Sequence, residues 1–250
     1  MNKLNQSSDL CILIPTYNNE KTLKSVIDAV LLYCSDIIVV NDGSTDGTTE
    51  ILNAYIDTIT VLSYPKNKGK GYALKTGLRE ARQKGFRYVL TLDSDGQHYA
   101  EDIPNFVKTI QKHPDTLLIG SRNLNQPNMK QGSKYANRLS NFWFTVQTGK
   151  ILPDTQTGYR LYPIWEMKKI LPFCSRYEAE IELLVRCAWK GIRLIAIPIQ
   201  VFYPTKEERV SHFRPSRDFL RISLLNTLLC FLAVVYGYPS LLYHKIIKGL

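Results

Sequence analysis

Apolar positions in the first half of the chain switch between two periods. Leu10 to Ile14 is a continuous apolar run closed by Pro15, and Leu23, Val26, Ile27, Val30 and Leu31 then recur on one helical face. Ile37 to Val40 is a second buried run. Ile51, Leu52, Tyr55 and Ile56 form a helical face, Ile59 to Leu62 a strand, and Ala73, Leu74, Gly77, Leu78 and Ala81 another helical stripe. Strands at Tyr88 to Leu92 and Leu117 to Ile119 flank a helix through Ile103, Phe106, Val107 and Ile110. Uniformly apolar strands alternating with amphipathic helices predict an α/β fold, a mostly parallel sheet with helices on both faces and right-handed crossovers. Ligands in such folds sit beyond the carboxyl ends of the strands, so the segments Pro15 to Glu20, Asn41 to Asp46, Pro65 to Gly71 and Asp93 to His98 are the places to look for chemistry.

The second half is less regular. A helix through Ile181, Leu184, Val185, Ala188 and Trp189 precedes a strand at Leu194 to Ile197, then a polar loop from Thr205 to Ser216 and an apolar tail. Thr116 to Pro153 contains no acidic residue but does contain Arg122, Lys130, Lys134, Arg138 and Lys150. That stretch could face phosphate.

Composition narrows the class. With 250 residues, 44% of them hydrophobic, the chain can bury a sizeable core, and its net charge of +10 suits a polyanion or an anionic membrane surface. Basic residues are not interleaved with exposed aromatics in a stacking platform, so nucleic acid is not the expected partner. Five cysteines without a C-x-x-C pair encode neither a disulfide framework nor a thiolate zinc site and are read as reduced thiols. Met1 to Asp9 is polar, and no secretory signal is expected there.

Asp93-Ser94-Asp95-Gly96-Gln97-His98 carries the most chemistry. Two carboxylates two residues apart, leaving a buried strand, can share a divalent cation, and hard oxygen ligands suit Mg2+ or Mn2+ bridging a diphosphate. On its own such a pair is also an ordinary solvated turn.

Its companions change the weighing. Pro15-Thr16-Tyr17-Asn18-Asn19-Glu20 and Val40-Asn41-Asp42-Gly43-Ser44-Thr45-Asp46-Gly47-Thr48 resemble the opening signatures of family 2 glycosyltransferases of the GT-A fold, and Asp93-Ser94-Asp95 falls where that family keeps its acidic pair. Lys66-Asn67-Lys68-Gly69-Lys70-Gly71 and Gln97-His98 look like the dolichyl-phosphate mannose synthase, or polyprenyl-phosphate, branch. The resemblance implies that Pro15, Tyr17, Glu20 and Asp42 hold the base and ribose of a nucleotide sugar, with Asp42 accepting from the base. It implies that Asp93, Ser94 and Asp95 bind substrate and that Asp93 and Asp95, joined in the dolichyl branch by Gln97, hold Mg2+ or Mn2+ with the diphosphate. Lys70 is expected to contact the donor while Gly69 and Gly71 let backbone approach it. Asp154-Thr155-Gln156-Thr157-Gly158-Tyr159-Arg160 resembles the Asp-x-x-Ser/Thr-Gly-x-Arg loop of the same branch, whose arginine faces the acceptor phosphate. Arg122 is a second candidate for that task, Asp154 orients the loop, and Asp95 with Asp154, Arg122 and Arg160 forms the expected catalytic set. Glu178 and Glu180 suit a helix start on dipole grounds alone.

Ile222 to Tyr243 contains no Asp, Glu, Lys or Arg, and about 22 helical residues reach ~33 Å, enough for a bilayer core. Gly237-Tyr238-Pro239 interrupts the run, so a broken pair of helices in the interface is expected, with Tyr236, Tyr238 and Tyr243 at headgroup depth and Arg214, Arg217, Arg221, Lys245 and Lys248 against anionic lipid. The expected division is a GT-A domain over residues 1–215, its nucleotide-sugar half at about 8–122 and its acceptor half at about 123–215, and a membrane-associating tail over 216–250. The protein is then expected on the cytoplasmic side of the cell membrane, peripheral or monotopic. Its expected activity is metal-dependent, inverting transfer of a hexose from a UDP- or GDP-linked sugar to polyprenyl phosphate. A glycolipid or sugar hydroxyl is the alternative acceptor, with Asp154 or Glu180 as base, and a non-catalytic nucleotide-binding membrane scaffold is the alternative of another class.

Overall fold

The computed structural model describes residues 9–124, 131–167, 170–203 and 215–248, the side chains of 215–217 and 248 excepted. Lys130, the Ser211 to Arg214 loop with His212, and the side chains of Arg217 and Lys248 lie outside the described residues.

Seven strands form one sheet: β1 (Leu10–Thr16), β2 (Ile37–Asn41), β3 (Thr60–Ser63), β4 (Tyr88–Thr91), β5 (Thr116–Arg122), β6 (Arg160–Pro163) and β7 (Arg193–Ile199). Their order is β3-β2-β1-β4-β6-β5-β7, parallel except for β6, which runs antiparallel to both neighbours. The pleat of β1 shows why its sequence is uniformly apolar. Cys11 and Leu13 point into one core with Ala73, Leu74 and Leu78 of α3 (Lys70–Gln83), whereas Leu10, Ile12 and Ile14 point into the other. There they meet Leu23, Ile27 and Val30 of α1 (Leu23–Leu31) and Phe106 of α4 (Ile103–Lys112). A short α2 (Thr48–Asn53) follows β2. This is the doubly covered, mostly parallel sheet expected from periodicity.

Pro15 is tolerated in this central strand for a geometric reason. Residues 12 and 16 bond toward β2, so the proline's missing N–H would point toward β4, whose pairing has already ended at Leu13 and Leu92.

Two elements escaped the periodicity. β6 has only four residues, RLYP, and two of them are Arg160 and Pro163. The helix α5 (Gln131–Thr148) buries Asn137, Phe144, Gln147 and Thr148, so its inward face is mainly polar and leaves no apolar stripe to read. A single-turn α6 (Ile164–Met167) follows β6, and α7 (Glu178–Trp189) lies before β7.

The tail differs from expectation. α8 (Pro215–Leu232) continues through a π-helical turn (Ala233–Gly237) into α9 (Tyr238–Lys248), so Gly237-Tyr238-Pro239 widens the helix rather than breaking it. Pro239 cannot donate to Val235, four residues earlier, and its ring needs room there; the wider turn supplies that room. Leu225, Leu229 and Ala233 are buried against the body, while Leu224, Leu228, Phe231, Val235 and Ile246 are exposed. Asp218–Ile247, 30 residues, is long and apolar enough to cross a membrane by length and composition, and only 17% of its apolar window is buried. The three expected headgroup tyrosines are all exposed, Tyr243 at 60% and Tyr236 and Tyr238 at 43% each, although Tyr236 also leans on the Trp189 ring and Tyr238 donates its hydroxyl to the Val146 carbonyl.

Candidate active site

The four segments singled out above meet at the carboxyl edge of β1, β2, β3 and β4, and they are tied to one another by side chains. Asn19 donates to Ser94 Oγ and its backbone N–H to Thr48 Oγ1, while Thr22 donates to the Ser94 carbonyl. Ser94 is 4% exposed, and its hydroxyl and carbonyl are taken up in tying the first and fourth loops together. Asp42 is likewise turned inward. Its carboxylate accepts from Lys68 N at 2.7 Å, Gly69 N at 2.8 Å and Asn67 Nδ2 at 2.9 Å, so it folds the 67–69 loop where a nucleobase contact was expected. Pro15 is buried inside β1, and Glu20 Oε2 accepts from Gly47 N at 2.8 Å, joining the first two loops. Tyr17 stands half-buried just past β1. Beside these loops a cavity of about 310 Å³ is lined by Asn41, Gly43, Ser44, Thr49, Ser63, Tyr64 and Pro65.

Gly69 is required by backbone geometry. Its φ is +101°, and a Cβ there would overlap the Ser175 carbonyl, so the glycine admits the loop before α7 rather than a ligand on that side. The close approach brings α7 to the site. Lys70, the first residue of α3, places its ammonium 2.7 Å from Asp93 Oδ1 and 3.1 Å from Glu180 Oε1. Burial disfavours the ammonium, yet the two carboxylates outweigh burial and hold its pKa above the ordinary lysine value. Burial likewise works against the Asp93 carboxylate, and Lys70 reverses that effect and keeps it ionised. Lys70 was expected to reach the donor; in this structure it faces the first residue of the acidic pair and a glutamate assigned above to the helix dipole. Glu178, two residues earlier, turns instead toward Arg221 of α8 at 3.6 Å.

Asp93, Asp95 and Gln97 offer oxygen donors on one turn, closed by the Gln97 N–H bond to Asp95 Oδ1. The residues fit a divalent cation on two observations. Asp93 already holds a positive charge, the Lys70 ammonium, and a Cβ at Gly158 would stand 2.7 and 2.9 Å from the two Asp93 oxygens, a space that glycine leaves open. All-oxygen donors match Mg2+ or Mn2+.

A second charged centre lies on the neighbouring strands. Arg122, at the end of β5, meets Asp154 side-on, with Nε to Oδ2 at 2.6 Å and Nη2 to Oδ1 at 2.9 Å. Asp154 is fully buried and also accepts from Arg122 N, Asn137 Nδ2 and Gln156 N. Burial alone would neutralise it, but Arg122 holds its pKa below the usual carboxylate range. Asp154 thus orients an arginine, and it is not a free base. Asn137 and the Asn141 that donates to Asn137 Oδ1 were missed; their spacing of four in an acid-free stretch was the only signal. Arg160 departs most from expectation. It is fully buried, with Nε, Nη1 and Nη2 donating to the carbonyls of Thr157, Glu180 and Thr155, so it braces the 154–160 loop against α7 instead of facing a phosphate. His98 stacks on Tyr159 at 5.1 Å, and burial pushes its pKa down to about 4, leaving a neutral imidazole at neutral pH.

The family model for Glycosyl transferase family 2 matches residues 11–163, more than half of the chain and every segment just described up to β6. The chain belongs to glycosyltransferase family 2. It is 29% identical to the UDP-N-acetylglucosamine–dolichyl-phosphate N-acetylglucosaminyltransferase of Methanococcus voltae, over 77% of this chain and 85% of that one. It is also 29% identical to glycosyltransferase AglJ of Haloferax volcanii, over 84% and 68%. The fold superposes on glucosyl-3-phosphoglycerate synthase from Mycobacterium tuberculosis in complex with Mn2+, UDP and phosphoglyceric acid, with a TM-score of 0.64 at 20% identity, covering 89% of this chain and 78% of that one. In this family 2 glycosyltransferase the sheet and its helices are GT-A-like, and its relatives include dolichyl-phosphate glycosyltransferases.

Proposed function

We propose that this glycosyltransferase moves a hexose from a nucleoside diphosphate sugar to a lipid phosphate, with inversion and with a divalent cation, at the cytoplasmic face of a membrane. The observation that carries the reading is that two ion pairs from different segments meet at one sheet edge: Lys70 on Asp93, and Arg122 held side-on by Asp154, with Gly158 of the Asp154 loop packed against Asp93. The first, with a divalent cation on Asp93, suits the leaving diphosphate, and the guanidinium of the second suits an incoming phosphate.

Asp93, Asp95 and Gln97 would hold Mg2+ or Mn2+, which supplies positive charge for the diphosphate as the sugar bond breaks. Pro15, Tyr17 and Glu20 border the region for base and ribose. Asp42 acts at one remove by shaping the 67–69 loop. Arg122, fixed by Asp154, Asn137 and the loop that Arg160 braces, orients the acceptor for in-line attack. An acceptor phosphate is ionised at neutral pH and needs no proton acceptor, whereas a glycolipid or sugar hydroxyl does. Asp154 is saturated and Glu180 is engaged by Lys70, which favours the phosphate. The dolichyl-phosphate names of the relatives and the UDP-glucose and Mn2+ bound by a structural neighbour support the same reading. The exposed face of α8 and α9, with exposed Lys245 beside it, suits an anionic lipid surface, and residues 216–250 would be the membrane-associating part.

Calorimetric titration of UDP and GDP with and without Mn2+, on wild type and Asp93→Asn, followed by transfer to polyprenyl phosphate in vesicles, tests the reading. Mn2+-dependent binding of one nucleotide, lost in the variant, and transfer that requires the lipid phosphate are the expected results. Undiminished transfer by Asp93→Asn, or transfer to a glycolipid hydroxyl with no phosphate acceptor present, would overturn it.

A further inference from the structure

Lys70 has two carboxylate partners where one would neutralise it, and one of them is the aspartate that is to hold the metal. The lysine main chain is immobile. Gly69 N is bonded to Asp42, Tyr72 N to the Ser175 carbonyl, and a Cβ on Gly71 would overlap the Ala179 methyl, so α3 starts in a fixed position against α7. Only the ammonium at the end of the flexible stem has a choice, between Asp93 Oδ1 at 2.7 Å and Glu180 Oε1 at 3.1 Å. Glu180 is fixed in its turn, on the first turn of α7 with its carbonyl accepting from Arg160. A divalent cation on Asp93 would stand beside this ammonium, and the repulsion between the two positive charges favours moving the ammonium toward Glu180.

We infer that Lys70 is a displaceable counter-cation: it holds Asp93 in the metal-free protein, yields it when metal and nucleotide arrive together, and remains in the cleft because Glu180 keeps it tethered. This rests on the reading of Asp93 as a metal ligand. Glu180 is thereby a positioning residue, acting through Lys70. A divalent cation arriving alone displaces the ammonium only as far as Glu180, so the two cations stay close and repel each other; a diphosphate arriving with the metal offers negative oxygens to both. Metal and nucleotide must then strengthen each other's binding by the same factor, within the 5–150-fold range usual for coupled sites.

The test is binding of Mn2+ alone, read as the free-ion signal in electron paramagnetic resonance, then repeated with UDP and with GDP. Lys70→Met is expected to bind Mn2+ alone about tenfold more tightly than wild type and to lose most of the nucleotide coupling. Glu180→Gln is expected to bind Mn2+ alone more weakly, because the ammonium then rests on Asp93 undivided. Lys70→Arg, which keeps the charge and grips Asp93 with a fork, is expected to weaken Mn2+ binding as well and serves where Lys70→Met does not fold. A purely structural lysine would move all three variants in the same direction. Weaker or unchanged Mn2+ binding in folded Lys70→Met, or tighter binding in Lys70→Arg, overturns the inference. Asp93→Asn separates the two readings: Mn2+ binding at wild-type strength in that variant refutes the metal assignment itself, whereas its loss with no gain in Lys70→Met refutes only the exchange.

Discussion

Asp93 and Asp154 are both carboxylates that burial alone would neutralise, and each stays ionised because a cation from another segment lies against it. The cations are held in opposite ways. Lys70 reaches Asp93 through a single ammonium contact and has Glu180 as a second partner, and the Asp93 side chain is 25% exposed. Arg122 grips Asp154 with two parallel bonds, Asn137 and two backbone N–H groups fill the remaining lone pairs, and Asp154 is fully buried. One centre is built to exchange its partner and the other to keep it. That difference teaches which carboxylate is reactive surface and which is scaffold.

The largest test of the contrast is Asp154→Ala. Removing one member of a buried, hydrogen-bonded pair strands Arg122 and is expected to cost about 3–5 kcal/mol of stability, read by urea unfolding. Asp93→Asn is expected to do the reverse. Lys70 retains Glu180, so unfolding should shift little, while the transfer rate falls by about 10²–10³-fold because charge stabilisation at the diphosphate is lost. Equal destabilisation by the two variants would erase the distinction.

The nucleotide-side loops and the sheet that carries them were legible in the sequence because both depend on signals that a single chain displays. Strands buried on two faces read as apolar runs, and the segments after them contained Asp93, Asp95, Lys70 and the glycines. What was not legible is direction. Ser94, Asp42 and Arg160 occupy the expected loops but point inward, since whether a polar side chain meets a ligand or a neighbouring N–H depends on loops distant in sequence. The acceptor side was least legible for the same reason. α5 presents Asn137 and Gln147 where a stripe of leucines would announce a helix, and Glu180 reaches the site only because Gly69 and Gly71 admit the start of α7.

Acid titration sharpens the comparison further. The folded-state pKa of Asp154 is depressed, so the unfolded chain binds the proton first and stability falls as pH drops through the unfolded value near 3.9 and on to the folded one. The stability difference between wild type and Asp154→Asn should therefore be full and flat from pH 8 to about pH 5, and narrow as pH falls below about 4. A difference that shrinks between pH 8 and pH 6 would mean that another group controls the pair.

The smallest expected effect isolates one of the bonds that hold Asp154 in place. Asn137 is fully buried, donates to Asp154 Oδ1 at 2.6 Å and accepts from Asn141 at 2.9 Å, so Asn137→Ala removes one charge-assisted bond and leaves Asn141 with its Pro153 partner. The loss should be about 2 kcal/mol, less than for Asp154→Ala, because the Arg122 fork survives. If Asn137 only fills a lone pair, transfer at saturating acceptor should be unchanged in the folded variant. If it also fixes the angle at which Asp154 presents Arg122, the acceptor KM should rise while nucleotide binding stays the same. A rise in the nucleotide Kd instead would join α5 to the Asp93 side and dissolve the division between an exchanging centre and a locked one.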